Sequence, residues 1–296
     1  MKQRWRGLIF IMCADLLWGL SAVIAKFLFN NQVNAFDLAQ LRITLAFILL
    51  FCCLLAFNRP LLKVQKHDYL YMIIFGIAGM SAVQFSYMFT ISQTNVATAV
   101  FLQYLAPVFI LLYAFASGRE EINILKVISI ATAIIGGFLM VKGSGSEGLA
   151  ISKLGLTVGL ASAVFFAFYT IYGKYGLGKY SPWTMLCWGM GAGSIVWCIY
   201  RWPWQTLINY SLTEWGFFFY MAIFATIIPF GLFFKGLHLL TPVITGVTST
   251  IEPVLSAILA FLILGEALTG WQIIGSVLII LAITLLQTIP NKSISA

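Results

Sequence analysis

Long hydrophobic segments separated by short polar breaks dominate the pattern of residues along this chain. Each segment is close to the roughly 20 apolar residues that an α-helix needs to cross a bilayer. The loops between them are too short to hold a soluble domain. The sequence therefore predicts an all-α integral membrane protein with ten transmembrane helices, whose approximate bounds are 7–29, 36–57, 69–91, 95–117, 123–141, 154–174, 182–200, 214–234, 240–264 and 269–288.

The composition agrees with this membrane assignment. Of the 296 residues, 61% are hydrophobic and 9% are charged, whereas soluble domains contain about 25% charged residues. So few charges cannot cover the surface of a soluble fold, which excludes an ordinary soluble enzyme. The five cysteines lie inside predicted helices without a C-x-x-C pair, so the sequence predicts neither disulfides nor a metal site.

The distribution of basic residues predicts the orientation of the chain. If the N-terminus is cytoplasmic, twelve of the 17 Lys and Arg residues fall on the cytoplasmic side and five fall elsewhere. Because cytoplasmic loops retain positive charge, we expect both termini in the cytoplasm and the protein in the cell membrane. This topology accounts for the net charge of +8, and no basic patch interleaved with aromatic residues indicates a nucleic-acid partner.

The N-terminal segment resembles a secretory signal, because Lys2, Arg4 and Arg6 precede an apolar run. The run is longer than a signal sequence, and no small-residue cleavage site closes it. We expect it to be the first retained transmembrane helix.

The chain contains an internal repeat with an offset of 146 to 148 residues. Residues 7–26 align with 155–174 without a gap, Pro107 aligns with Pro253, and Glu120 aligns with Glu266. The predicted units are a first repeat at 1–142, a Gly/Ser linker at 143–153 and a second repeat at 154–296.

Each repeat contains five predicted spans, so the second repeat enters the membrane in the orientation opposite to the first. Inverted repeats with interrupted helices in matching positions are typical of secondary transporters, which bind substrate near the bilayer midplane. Pro107 and Pro253 are the matched interruptions, and each removes the hydrogen-bond donor for a carbonyl one turn earlier. The alternative is that both prolines only shape helix packing.

Several motifs resemble those of the EamA family of the drug/metabolite transporter superfamily. They are Leu-Trp-Gly-Leu-Ser at 17–21, Leu-Arg at 41–42, Ile-Glu-Pro-Val at 251–254 and Leu-Gly-Glu at 264–266. The resemblance covers nearly the whole chain and implies a central cavity and the export or uptake of small metabolites such as amino acids. The first repeat departs from the pattern, because Ala106 occupies the position equivalent to Glu252.

Three ionisable residues lie deep inside predicted helices, where charge is costly and therefore indicates function. They are Asp15, Arg42 and Glu252. Arg42 and Glu252 have similar predicted depths, so we expect them to form a pair, either a proton- or substrate-sensitive ion pair or a static pair that orders the bundle. Asp15 has no basic residue at its depth, which predicts either a proton-loading carboxyl or a neutral one hydrogen-bonded to a neighbouring helix.

Polar and aromatic side chains in the middle of the helices are candidates for the wall of a substrate cavity. Gln103 and Ser249 each precede a proline by four residues and are equivalent by repeat, as are Trp18 and Phe166. Gln84 belongs to a set of polar residues on the predicted helices at 69–91 and 95–117, and Tyr169 belongs to a set of aromatic residues deep in the predicted helix at 154–174. The alternative is that the polar groups join helices and that the aromatic groups face lipid or other helices.

Motifs of other membrane protein classes are missing from the sequence. It has no H-E-x-x-H motif and no histidine cluster, and residues 173–179 imitate a phosphate loop but lack the required Ser or Thr at Tyr180. We therefore expect no cofactor and no metal.

The sequence favours a secondary transporter that exports small metabolites such as amino acids by alternating access, driven by a proton or substrate gradient. Export rests on the resemblance alone. The alternatives are a membrane-embedded enzyme and a channel or scaffold protein. The sequence makes no prediction of the oligomeric state.

Overall fold

The computed structural model describes residues 2–93, 96–118, 121–145, 152–200, 210–264 and 267–288. All regular structure in these ranges is helical, without a strand. Two positions of the predicted repeat, Glu120 and Glu266, lie outside the described ranges, as do residues 146–151 of the predicted linker.

Fourteen α-helices follow one another along the described ranges. They are α1 (Lys2–Asn30), α2 (Ala35–Phe57), α3 (Tyr69–Ile74), α4 (Ala82–Gln93), α5 (Val96–Gln103), α6 (Ala106–Ser117), α7 (Ile124–Gly143), α8 (Lys153–Gly176), α9 (Pro182–Tyr200), α10 (Leu212–Ala222), α11 (Ile228–Leu239), α12 (Pro242–Ser249), α13 (Glu252–Leu264) and α14 (Gly270–Gln287).

Short polar side chains begin several of these helices, as the preference for Asn, Ser and Thr at helix N-termini leads one to expect. The Asn34 side chain accepts a hydrogen bond from the Phe36 amide at 2.8 Å, and the Ser152 hydroxyl accepts one from the Gly155 amide at 2.9 Å. Thr269 begins α14 in a reciprocal capping box with Gln272.

Eight helical segments of the described chain are long and apolar enough to cross a membrane. The sequence predicted ten. Two helices, α1 and α9, are not among the eight, although α9 corresponds to the predicted helix at 182–200. Three glycines and three tryptophans lower the hydropathy of α9. The described chain therefore contains several candidate membrane spans, and the count of ten stays a prediction.

Irregular helical geometry recurs at matched positions in the two halves of the chain. A π-helical turn at Phe75–Ser81 joins α3 to α4, and another at Ile223–Ile227 joins α10 to α11, with first residues 148 apart (223 − 75). Turns at residues 104–105 and 250–251 interrupt the chain before α6 and α13, at a separation of 146 (250 − 104). The order α1 to α7 thus reappears as α8 to α14.

The two halves pack against each other in a reciprocal way. Helix α1 packs against α11 and α13, while its equivalent α8 packs against α4 and α6. Helix α2 packs against its own equivalent α9, and α7 packs against α14. Each half therefore covers the equivalent surface of the other, although the inverted orientation across a membrane stays a prediction.

Close backbone contact holds α7 against α14. A Cβ added to Gly136 would lie 2.7 Å from the Gly275 carbonyl oxygen, and one added to Gly275 would lie 2.6 Å from the Gly136 oxygen. Small residues allow such close approach between helices in a membrane, where van der Waals contact replaces the hydrophobic effect. This pair lies at the side of the bundle, away from the cavity described next.

Candidate functional site

A central cavity lies among α1, α2, α4, α8, α11 and α13. It contains roughly 920 Å³ of space between atoms, counting its open part. Five of the six predicted cavity residues line it, namely Trp18, Gln84, Gln103, Phe166 and Tyr169.

The cavity reaches toward one end of the bundle. Its wall follows α1 from Trp18 to Phe29 and α4 from Val83 to Ile91, toward the ends of both helices. We call this the far side, and we call the side where α1 begins the near side.

Packed aromatic rings close the near side of the bundle. The ring of the buried Tyr169 lies 5.5 Å from that of Phe75 and 5.2 Å from that of Phe234, measured between centroids. Closer to the near side, the rings of Tyr71 and Tyr172 stack at 4.2 Å, and the Tyr71 hydroxyl donates to the Tyr172 carbonyl. The cavity therefore has a solid aromatic layer between its inner end and the near side.

Trp18 and Phe166 form the inner end of the cavity together with residues of α11. The Trp18 ring lies 5.0 Å from Phe230 in an edge-on arrangement, and the Phe166 ring lies 5.9 Å from Phe233. Because Trp18 and Phe166 are equivalent by repeat, each half contributes one aromatic side chain to the same apolar surface. Such a surface can bind the apolar part of a small ligand.

The two glutamines present amide groups at different places on the wall. The Gln103 amide nitrogen donates to the Ser162 hydroxyl at 3.1 Å, which orients it at the end of α5. Gln84 lies on the cavity wall in α4, the helix that precedes α5. These amides supply donors and acceptors in a wall that is otherwise largely apolar.

The guanidinium group of Arg42 lies on the wall and is held by the second π-helical turn. Its Nε donates to the Thr226 hydroxyl at 3.2 Å, and a terminal nitrogen donates to the Ala225 carbonyl at 3.4 Å. A π-helical turn shifts carbonyl groups out of the regular helical pattern, which makes them available to a side chain. Arg42 can therefore be held without a carboxylate partner.

Glu252 lies on the wall at the start of α13 and accepts a hydrogen bond from the Tyr104 hydroxyl. Tyr104 belongs to the turn before α6, so the bond joins the interruption of one half to the interruption of the other. Tyr87 also lines the cavity and lies close enough to both Arg42 and Glu252 to interact with them electrostatically.

Arg42 and Glu252 share the cavity but do not form the direct pair that their depth predicted. Among the described residues, no ion pair joins their side chains. The reason is geometric: Arg42 is turned toward the π-helical turn at Ala225 and Thr226, and Glu252 is turned toward Tyr104. Both charged residues line the cavity.

The helix interruptions before Pro107 and Pro253 position Tyr104 and Glu252. The turn at Tyr104 ends α5, and Leu105 is the residue before α6. The turn at residues 250–251 ends α12, and Glu252 begins α13. Because proline lacks an N–H, it fits at the start of a helix and leaves the carbonyl four residues earlier without its donor.

Asp15 and Ser249 lie behind the wall instead of on it. Both side chains are fully buried, and neither the Asp15 carboxyl oxygens nor the Ser249 hydroxyl has a hydrogen-bond partner among the described residues. Helix α12 packs against α1 and brings the Ser249 hydroxyl within interaction range of the Asp15 carboxyl, without a hydrogen bond between them. Ser249, predicted on the wall, is turned away from the cavity because its face of α12 packs against α1.

Sequence reasoning missed Tyr104 and Tyr87. A signal for Tyr104 exists, because it directly follows Gln103 and lies three residues before Pro107, at the predicted interruption. Nothing in the sequence connects Tyr87 to Arg42, because their proximity depends on how α4 packs against α2.

Metal-binding clusters are absent from the described part of the chain, in which no group of three or more His, Cys, Asp and Glu side chains converges. The five cysteines lie in α1, α2 and α9 and are free thiols.

Several proteins named as transporters are similar to this chain. The inner membrane transporter YicL of Salmonella typhimurium, described as uncharacterized, is 29% identical over 285 residues, covering 95% of both chains. The threonine/homoserine exporter RhtA of the same species is 24% identical over 285 residues, covering 94% of this chain and 90% of that protein.

A solved structure has the same fold. It aligns with a TM-score of 0.78 at 20% sequence identity, and the alignment covers 95% of this chain and 96% of that one. The EamA-like transporter family model matches residues 5–142 and again residues 153–288. The resemblance predicted from the motifs is confirmed: the chain belongs to the EamA-like transporter family and is a multi-pass membrane transporter.

Proposed function

We propose that this protein is a secondary transporter that exports small zwitterionic metabolites such as amino acids. The observation that carries the proposal is the presence of one cationic and one anionic side chain, Arg42 and Glu252, on the wall of a single cavity without a direct bond between them. A zwitterion offers a carboxylate and an ammonium group to two such charges. An apolar end of the cavity remains for its side chain.

Arg42 is the proposed partner of the substrate carboxylate. Guanidinium groups bind carboxylates through paired, charge-assisted hydrogen bonds, which fix orientation as well as affinity. The bonds from Arg42 to Thr226 and Ala225 use Nε and one terminal nitrogen, which leaves further N–H donors for a ligand.

Glu252 is the proposed partner of the substrate ammonium group and of a proton. The Tyr104 hydroxyl occupies one of its oxygens, and the other oxygen is left for a ligand. A carboxyl that exchanges an ammonium group for a proton would couple export to proton entry, because the two occupants cannot be bound together. This role requires that Glu252 be accessible from each side in turn.

We propose that transport occurs by alternating access, in which the cavity opens to each side of the membrane in turn. The ten spans would form two inverted repeats. The cavity extends toward the far side, while the layer of Tyr169, Phe75 and Phe234 separates it from the near side. Because α1 with α11 and α8 with α4 are equivalent contacts, an exchange of roles between the halves would open the near side and close the far side. With both termini cytoplasmic, the far side is external.

Relatives support parts of this proposal through their names. RhtA is called a threonine/homoserine exporter, and YicL is called an inner membrane transporter. The name of RhtA favours export of an amino acid, and the name of YicL favours a place in the inner membrane. The identity to RhtA is 24%, so the proposal concerns the class of zwitterionic metabolites and names no single amino acid.

A counterflow experiment tests the proposal. Purified protein in liposomes preloaded with a candidate amino acid is diluted into the radiolabelled compound, with and without an imposed pH gradient. Saturable uptake that needs the internal unlabelled compound is expected for at least one zwitterion, and an amide-blocked analogue should compete poorly. Flux that does not saturate would indicate a channel, chemical conversion would indicate an enzyme, and either result would contradict the proposal.

A further inference from the structure

Asp15 is a buried carboxyl that the proposed substrate cavity does not use. It lies in the middle of α1 and is completely shielded from solvent. Within the described ranges, both carboxyl oxygens lack a hydrogen-bond partner, and no basic side chain pairs with them. An isolated carboxylate in such surroundings is too costly to persist, so this group binds either a proton or another cation.

The neighbour of Asp15 is the carboxyl-terminal end of α12. This half-helix ends at Ser249, and the negative end of its dipole therefore lies close to the Asp15 carboxyl. Pro253 cannot donate to the Ser249 carbonyl four residues earlier, so this carbonyl lacks its regular helical partner. Carboxylate, carbonyl and helix terminus all favour a cation at this point.

Further oxygen atoms are available on the same face of α12. The Ser249 hydroxyl is fully buried, lies within interaction range of Asp15 and has no hydrogen-bond partner in the described part of the chain. Thr245, one turn earlier on that face, is also fully buried, and its hydroxyl likewise lacks a partner there. In contrast, the neighbouring Thr248 and Thr250 hydroxyls donate to backbone carbonyls at 2.7 Å. The hydroxyls without a partner are thus the two on the face of α12 that carries Ser249.

We propose that Asp15, Ser249 and the carboxyl-terminal end of α12 form a binding site for a monovalent alkali cation, with Na⁺ as the best match. The donors are all oxygen atoms, which hard cations prefer over nitrogen and sulfur ligands. One carboxylate balances one positive charge, so a single Na⁺ leaves the site neutral. Interrupted helices in transporters bind Na⁺ through the same kinds of group.

The site is placed to influence the substrate cavity. Ser249 and Glu252 lie at the two ends of one interruption, and Asp15 is close enough to Glu252 and Tyr104 to interact with both electrostatically. A cation bound here holds α1 against the end of α12 and thereby the start of α13. Its binding is independent of which molecule the cavity takes, so it can be tested without a substrate.

Binding of Na⁺ alone tests the inference. The full-length protein in detergent is immobilised on scintillation beads with ²²Na⁺, and unlabelled Na⁺, Li⁺, K⁺ and choline compete at constant ionic strength. We expect saturable binding that Na⁺ displaces best and choline does not displace. The midpoint of thermal unfolding should also be higher in Na⁺ than in choline, because an ion that binds the folded state stabilises it.

Three variants locate the site. Asp15→Asn should weaken Na⁺ binding by at least about tenfold, since it removes the only charged ligand. Ser249→Ala, which keeps the charge, should weaken it roughly threefold or more. The control is Ser194→Ala on α9, where a buried hydroxyl donates to the Gly191 carbonyl at 2.8 Å, and here affinity should stay within about twofold.

Each contrary result overturns the site. Equal unfolding midpoints in Na⁺ and choline, without displaceable ²²Na⁺, would mean that the wild-type protein has no such site. If the midpoint of thermal unfolding changes with pH by the same amount in Na⁺ and in choline, Asp15 binds a proton instead. Na⁺ binding that survives in both Asp15→Asn and Ser249→Ala would place the ion elsewhere. None of these outcomes bears on counterflow of amino acids, which tests the cavity separately.

Discussion

The two interrupted helices have the same backbone plan but different side chains at the site. In the first half, Tyr104 lies in the turn and Ala106 begins α6, with Pro107 next. In the second half, Thr250 takes the place of Tyr104, and Glu252 takes the place of Ala106. The position that is a buried methyl group in one half is therefore a carboxyl on the cavity wall in the other.

This difference indicates that the repeated backbone determines where the two turns lie, whereas the residues that differ between the repeats determine the chemistry of the site. The phenol of the first interruption reaches the carboxyl of the second, so the site is built from the unlike residues of two like turns. A fully symmetric pair would place two carboxyls near each other, at a cost in repulsion. The asymmetric pair places one carboxyl and one hydroxyl donor there instead.

Glu252→Gln should have the largest effect on transport, because it removes the only charged side chain at the two interruptions. Loss of a charged hydrogen-bonding group costs about 1.5 to 3 kcal/mol, so counterflow at subsaturating substrate should fall by roughly one to two orders of magnitude. Its dependence on a pH gradient should disappear. Glu121→Gln, at an exposed position before α7, is the control and should transport normally. Unchanged, pH-sensitive transport in the Glu252→Gln variant would remove Glu252 from the proposed mechanism.

Replacing each proline tests whether the two interruptions matter equally. Pro253→Ala and Pro107→Ala both restore an N–H donor to the carbonyl one turn earlier and should raise thermal stability. Transport should fall about tenfold in Pro253→Ala, because a straightened helix re-aims Glu252, and by less in Pro107→Ala. Equal losses in both variants would mean that the prolines act only through helix packing.

Tyr104→Phe removes the hydroxyl that the first interruption contributes to the second. The expected loss is about 1.5 kcal/mol, or roughly tenfold in transport efficiency, with little change in folding. Tyr113→Phe on α6 is the matched control, since the Tyr113 hydroxyl shares a bond of 2.8 Å with Tyr175 at an exposed position. The assignment fails if both phenylalanine variants transport alike.

Gln103→Leu should have the smallest effect of the four. It removes the bond of 3.1 Å to the Ser162 hydroxyl, which is neutral and partly exposed to the cavity. Such bonds contribute about 1 kcal/mol, so apparent substrate affinity should weaken roughly threefold to fivefold. Gln93→Leu, at the exposed end of α4, should leave affinity unchanged. A loss as large as that of Glu252→Gln would mean that Gln103 binds substrate directly.

Much of the architecture could be predicted because it depends on features local in sequence. Segment length and hydropathy predicted a multi-pass helical membrane protein, and the motifs around Trp18 and Glu252 predicted the family. Length and hydropathy also predicted a membrane span at 69–91. The π-helical turn at Phe75–Ser81 was not foreseen, since no proline or polar break marks it.

The arrangement of the candidate site could be predicted only in part from segment length, depth and repeat equivalence. Depth along a helix placed Arg42 and Glu252 at one level, but it could not give the direction in which each side chain turns. The equivalence of Gln103 and Ser249 by repeat suggested one common role, yet Gln103 lines the cavity and Ser249 faces Asp15. Side-chain direction depends on the rotation of each helix in the bundle, which periodicity does not specify when all faces are apolar.

The sequence by itself determined the solvent, the helical content, the repeat and the position of both interruptions, because bilayer thickness and the missing N–H of proline act on single segments. Only the tertiary structure decided which groups meet: Tyr104 with Glu252, Arg42 with the turn at Thr226, and Asp15 with Ser249. Each of these contacts joins segments far apart in the chain, and its existence depends on how both halves pack.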